Sequence, residues 1–131
     1  MTSFAVKSRL RNEMIDITDD VALAVLQSGV QSGVCYVYVP HTTAAITINE
    51  NADPAVRRDV LTALSRVFPE QGDYRHSERN SDAHIKASLV GSSVTVFVEN
   101  GRPVLGTWQS VFFCEFDGPR TRTVHCKVMQ A

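Results

Sequence analysis

The chain has 131 residues, 44% of them hydrophobic and 21% charged, with a formal net charge of −1. That length fits one folded domain over residues 1–131 with a core of its own. The charge balance gives no electrostatic footing for nucleic acid or an anionic membrane; no run approaches the ~20 apolar residues of a spanning helix, and Met1 to Arg11 lacks the apolar stretch of a secretory leader.

Ser3 to Leu10 and Met14 to Thr18 read as opening strands. Thr18 or Asp19 can cap a helix to Ser28, with Val21, Val25 and Leu26 on one face and Gly29 at its stop. Gly33 to Val39 is an apolar strand ended by Pro40. Ala45 to Asn49 follows as a second strand, Ile46 and Ile48 alternating with Thr47 and Asn49. Asp53-Pro54 is a helix start, a carboxylate cap followed by proline at the first helical position. Val56, Val60, Leu64 and Val67 carry that helix to Phe68.

Pro69 to Asn80 is polar and turn-rich, which predicts a loop. Ser81 or Asp82 opens a short helix to Val90, closed by Gly91. Val94, Val96 and Val98 then alternate along a strand, and Asn100-Gly101 signals a hairpin. Trp108, Ser110, Phe112, Cys114 and Phe116 share a face of the next strand. After a turn at Asp117-Gly118, Val124, Cys126 and Val128 share a face of the last one. Two or three helices among about eight strands make an α+β chain, mostly antiparallel because tight turns join neighbours. The three cysteines lie in apolar runs without a CxxC pair. That usage suits core thiols in a reduced, cytoplasmic protein.

Chemistry concentrates around the strand from Ala45. His41 precedes it; Glu50, Asn51 and Asp53 follow it. His76 lies in the polar loop and His84 in the first turn of the short helix. Each has a plain structural reading, as a surface or half-buried histidine. Together, neutral imidazoles of this kind suit zinc or a similar divalent ion with an open fourth position. Asp53 has its role as a cap. Glu50 has none, so it is the candidate acid, base or supporting carboxylate. His125 alternates with Thr123 and Lys127 on a polar face and reads as solvated. Arg120 and Arg122 point to one side, to clamp an anion or to pair with Glu115 or Asp117. Gly101 to Gly106 has glycine spacing of a phosphate loop, but Thr107-Trp108 stands where Lys-Ser/Thr is required.

These blocks, in this order, resemble the YjbQ-like family, which carries the label secondary thiamine-phosphate synthase. The resemblance rests on His41-Thr42-Thr43-Ala44, Asn49-Glu50-Asn51-Ala52-Asp53-Pro54, Tyr74-Arg75-His76, Asp82 to Ser88 with Gly91, Gly106-Thr107-Trp108-Gln109 and Asp117 to Arg120. It implies an α+β sandwich assembled as a homotrimer, with His41, His76 and His84 as neighbours in a cleft. It also implies a small-molecule reaction, the joining of hydroxymethylpyrimidine diphosphate to thiazole phosphate with release of diphosphate. On that reading His41 and Glu50 are catalytic. Lys86, Ser88, Arg120 and Arg122 hold substrate or anion. His41, His76 and His84 hold a divalent metal, zinc foremost, with magnesium an option for a diphosphate substrate. The alternatives are a metal-dependent enzyme on another small substrate and a non-catalytic trimeric metal- or anion-binding protein.

Overall fold

The alternating apolar runs form eight strands, and the capped or glycine-ended runs form three helices. The computed structural model describes all 131 residues. In chain order they are β1 (Thr2–Lys7), β2 (Glu13–Asp16), α1 (Thr18–Ser28), β3 (Ser32–Tyr38), β4 (Ala44–Glu50), α2 (Pro54–Val67), α3 (Ser81–Val90), β5 (Ser93–Glu99), β6 (Arg102–Pro103), β7 (Gln109–Glu115) and β8 (Thr121–Gln130). The class is α+β, and every strand pairing is antiparallel. One sheet has the order β1-β8-β3-β5-β6, the other β2-β7-β4.

The main core lies between the sheets and takes in α1 through Val21, Ala24 and Val25. A smaller core lies on the far face of the three-stranded sheet, beneath α2 and α3. Strand β7 serves both. Val111 and Phe113 enter the main core, whereas Phe112, Cys114 and Phe116 enter the smaller one. A strand covered on both faces reads as a continuous apolar run, and Val111-Phe112-Phe113-Cys114 is that run. All three cysteines are buried and free. Burial pushes the Cys114 thiol up to about 12, far from a reactive thiolate.

The Asp53 cap is present: its side chain accepts the Ala55 amide at 2.9 Å, with Pro54 first in α2. The α3 start at Ser81 agrees with the sequence reading, whereas α1 lacks the side-chain cap expected of Thr18 or Asp19. The residue before α1 is Ile17, with no side-chain cap. Asp16 instead accepts from both the Thr18 amide and the Thr18 hydroxyl, and that hydroxyl accepts the Val111 amide. Tying the helix to β7 wins over capping its own end. Helix α3 starts at Ser81 after Asn80, and Asp82 is fully buried in ion pairs rather than capping.

The register sets two poles. At one, Ala44 and Glu13 both face Glu115, and Lys7 faces Thr121. The segments Val39–Thr43, Ser8–Asn12 and Phe116–Arg120 gather there with the start of α3. At the other, Glu50 faces Gln109. The Phe116–Arg120 turn contains a cis Gly118-Pro119 bond, and a side chain at Gly118 would strike the Leu10 carbonyl. No helix is long and apolar enough to cross a membrane.

Candidate functional site

The β3–β8 ladder ends at the Tyr38–His125 pair. In an antiparallel ladder every second amide faces the same neighbour, so the next β8 amide on that side belongs to Thr123. Pro40 has ended β3 by then. The side chain of His41 takes the vacated place: its Nε2 accepts the Thr123 amide at 2.9 Å. An N–H donates only to a lone pair, so Nε2 is unprotonated and the ring is neutral, with its proton on Nδ1. Burial, then the nearby Arg122 guanidinium, hold the His41 pKa below its ordinary 6.5, against the pull of Glu115.

A buried ion pair lies beneath this segment. Arg122 of β8 donates through Nε to Glu115 of β7 at 2.9 Å, and its Nη2 bonds Glu115 and the Thr43 hydroxyl. Ser8 completes the carboxylate, donating its hydroxyl at 2.7 Å. Burial alone would raise the Glu115 pKa; the hydrogen bonds from Arg122, Ser8 and the Asp117 amide outweigh it, and the carboxyl sits below its ordinary value. The pair joins the two sheets and fixes Thr43, two residues from His41.

A second network pins α3. Asp82 takes Arg11 at 2.9 Å and Lys86 at 3.2 Å. Asp117 takes Arg11 at 3.1 Å, Arg120 at 2.8 Å and the Asn80 amide at 2.9 Å. These contacts set the first turn of α3, and with it His84. The His84 ring meets His76 edge to face, centroids 5.4 Å apart.

The expected site residues fall into three groups. His41, His84, Arg120 and Arg122 line one polar cleft of about 320 Å³ with Asp117 and Asn80. His76 stands beside His84 but lines a separate loop cavity with Tyr74 and Arg79. Ser88 shares a neighbouring cleft with His41 and His84.

Several roles need correction. Lys86 is 1% exposed and spends its ammonium on Asp82, Asn12 and Ser65. Arg122 is spent on Glu115 and Thr43. Neither is free to clamp an anion, because a buried cation needs its internal partners. Arg120 is the cation that remains: its side chain is 52% exposed, and it uses Nε and Nη2 on Asp117. Glu50 ends β4 at the opposite pole, six residues past Ala44, about 20 Å at strand rise. It does not touch His41 within the chain. His125 is not simply solvated; its Nδ1 meets the Ser3 hydroxyl at 2.6 Å, and its ring stacks on Tyr38.

The donor set does not fit the expected zinc. Such a site needs three nitrogens aimed at one point. Nε2 of His41 is committed to Thr123, and no three His, Cys, Asp or Glu side chains converge as a metal set. Sequence reasoning passed over Asn80 and Arg11, and gave Glu115 only as a partner for the arginines, a pair that Arg122 makes. Glu115 left a signal: it shares the inward period-two face of Val111 and Phe113, where a carboxylate requires a buried partner.

Comparison with known proteins matches the whole of this architecture. The sequence model described as UPF0047 protein YjbQ-like matches residues 2–131. UPF0047 protein YugU of Bacillus subtilis is 52% identical over 130 residues, covering 98% of each chain. UPF0047 protein MJ1081 of Methanocaldococcus jannaschii is 50% identical over 126 residues, 96% of this chain and 91% of that one. The crystal structure of an uncharacterised YjbQ/UPF0047 protein from Clostridium acetobutylicum superposes with a TM-score of 0.97 at 54% identity, covering 98% of this chain and 100% of that one. A YbjQ-like protein of unknown function from Sulfolobus solfataricus superposes at 0.94 with 32% identity, covering 99% and 96%. By sequence and by fold, the chain belongs to the YjbQ-like UPF0047 family.

Proposed function

We propose that this chain is a cytoplasmic small-molecule enzyme whose site is the polar cleft at His41 and His84. The observation that carries the reading is the His41–Thr123 hydrogen bond. It fixes a neutral imidazole with Nδ1–H as donor, a group suited to polarising a substrate oxygen without carrying charge. His84, half-buried on the first turn of α3, supplies the general acid/base. Arg120 offers the open guanidinium edge for a phosphate oxygen.

The family resemblance makes thiamine-phosphate formation the first reaction to assay. A leaving diphosphate needs cationic help, and with Lys86 and Arg122 spent internally that help falls to Arg120 and to any magnesium the diphosphate brings with it. This favours a monophosphate-bearing substrate over a diphosphate. The test is turnover by native chain, His84→Gln and Arg120→Gln, on the pyrimidine and thiazole pair and on a panel of phosphate monoesters. Loss of a general acid/base lowers the rate about 10²–10⁴-fold. Turnover by His84→Gln equal to native on an accepted substrate removes His84. No turnover on any substrate, with phosphate still bound, favours the anion-binding module. A homotrimer is the assembly proposed with either function.

A further inference from the structure

His41, Thr42 and His84 stand between two clefts of opposite character. The first, of about 320 Å³, contains Glu78, Asn80, Asp117, Arg120 and Arg122 and no hydrophobic residue. The second, of about 380 Å³, adds Ala44, Ala87, Ser88, Gly91 and Ser92, with nothing ionisable beyond the shared histidines. Small residues on three elements keep the second cleft open. Gly91 is one: at φ +100° it has the backbone that favours glycine, and the place a Cβ would occupy has no atom within 4 Å. The Ser88 hydroxyl donates to the His84 carbonyl at 2.8 Å, which leaves its lone pairs to accept from a ligand. Ser92 is exposed at the rim.

We propose that the site takes a two-part substrate, a phosphate monoester of a small uncharged alcohol or polyol. The phosphate occupies the Arg120 lobe, and the hydroxyl-bearing body occupies the Ser88–Ser92 lobe. The histidines then flank the linkage between them. This rests on the cleft being the substrate site, as proposed above. The charged lobe supplies a guanidinium edge beside the His41 ring; the neutral lobe supplies hydroxyl acceptors and room. Neither lobe alone accounts for both clefts meeting at the same two rings.

The full chain is titrated with inorganic phosphate, glycerol and glycerol 3-phosphate, followed by amide chemical shifts. Glycerol 3-phosphate is expected to bind about tenfold more tightly than phosphate, roughly 1.4 kcal/mol, and to shift Ser88–Ser92 amides that phosphate leaves alone. Ser92→Leu fills the neutral lobe from its exposed rim. It is expected to abolish the tenfold advantage while phosphate affinity stays native. Ser88→Leu, on an exposed helix position where leucine is favoured, repeats the test if Ser92→Leu folds poorly. An advantage that survives both substitutions, or equal affinity for the two anions in the native chain, overturns the two-lobed site. Failure of either anion to shift the His41 and Arg120 amides overturns the substrate-site reading itself.

Discussion

His41 occupies, with its imidazole, the place in the sheet that strand β3 gives up, accepting the Thr123 amide at 2.9 Å across 82 residues of sequence. One bond thus does two things. It satisfies a strand-end amide, and it selects the Nδ1–H tautomer at the edge of the cleft. The two roles are separable by substitution. Gln places an oxygen near where Nε2 stands and keeps the acceptor; Ala removes it. His41→Ala is expected to destabilise by about 1–3 kcal/mol, toward the lower figure because Thr123 is half-exposed and water can reach it. His41→Gln should recover most of that stability, yet lose the Nδ1–H donor and bind phosphate more weakly. Urea midpoints and phosphate titrations on both variants check this. Equal loss of stability in Ala and Gln would mean that the bond to Thr123 contributes nothing.

The same bond gives stability a pH dependence. Burial and then Arg122 lower the His41 pKa from 6.5. Below 6.5 the unfolded chain takes up a proton that the folded chain resists. The unfolded state therefore binds more protons, and stability falls as pH falls through that window. Above 6.5 the contribution is complete. Urea midpoints of the native chain between about pH 7.5 and about pH 5 should drop, and His41→Gln should drop less. Parallel profiles for the two would remove His41 as a source. Glu115 acts in a lower window: its lowered carboxyl pKa contributes stability above its ordinary 4.5 that is lost as pH falls through the folded value.

Glu115 and Arg122 are 0% and 5% exposed, so removing one partner strands the other's charge. Glu115→Gln should cost about 3–5 kcal/mol, and Arg122→Met a similar amount. The Glu115→Leu and Arg122→Met double variant should cost well under the sum, since it buries no unpaired charge. Chemical denaturation with an unchanged slope is the measurement. A Glu115→Gln cost below about 1 kcal/mol would show that the pair does not hold the sheets together beneath Thr43.

The strands and the Asp53 cap were legible because their signals are local. Val94, Val96 and Val98 alternate within five residues, and Asp53-Pro54 is a two-residue signature. The site was legible in part. His41 and His84 share a cleft as the family resemblance implied. The tautomer of His41 was not readable, because it depends on an amide far along the chain. Glu50 was misplaced for a related reason. It is near His41 in sequence, but β4 runs straight between them and puts them at opposite poles. Lys86 looked like a free cation, since sequence records charge and not its partner; for Arg122 the sequence offered both an anion clamp and a pair with Glu115, and the pair forms. Glu115 was readable as an arginine's partner, and its inward parity marks it as buried.

Metal content is a direct check on the donor geometry. With Nε2 of His41 turned to Thr123, dialysed native protein should carry zinc well below one ion per chain, and His41→Gln should match it. Elemental analysis of both decides. One zinc per native chain, lost in His41→Gln, would show that the ring turns away from Thr123 to ligate, and the neutral-donor role would go with it.

The assembly is the last expectation. Strand β3 is central in its sheet, and its residues facing away from the core are Val34, Tyr36 and Tyr38. Register sets Phe97 and Met129 on either side of Val34, Thr95 and Lys127 beside Tyr36, and His125 beside Tyr38. Tyr36, Tyr38, Phe97 and Met129 are 46%, 47%, 66% and 50% exposed. A sheet that keeps one face in water shows polar residues there; an aromatic row on a central strand is what a second copy covers. A threefold ring uses two different patches on each chain, and this face is proposed as one of them. Light scattering at micromolar concentration should give a mass near three chains. Tyr36→Lys with Phe97→Lys should lower that mass while far-ultraviolet circular dichroism stays native, because both side chains point out of the core. A native chain that scatters as a monomer would refute the trimer, and a double variant that stays trimeric would move the interface to another face.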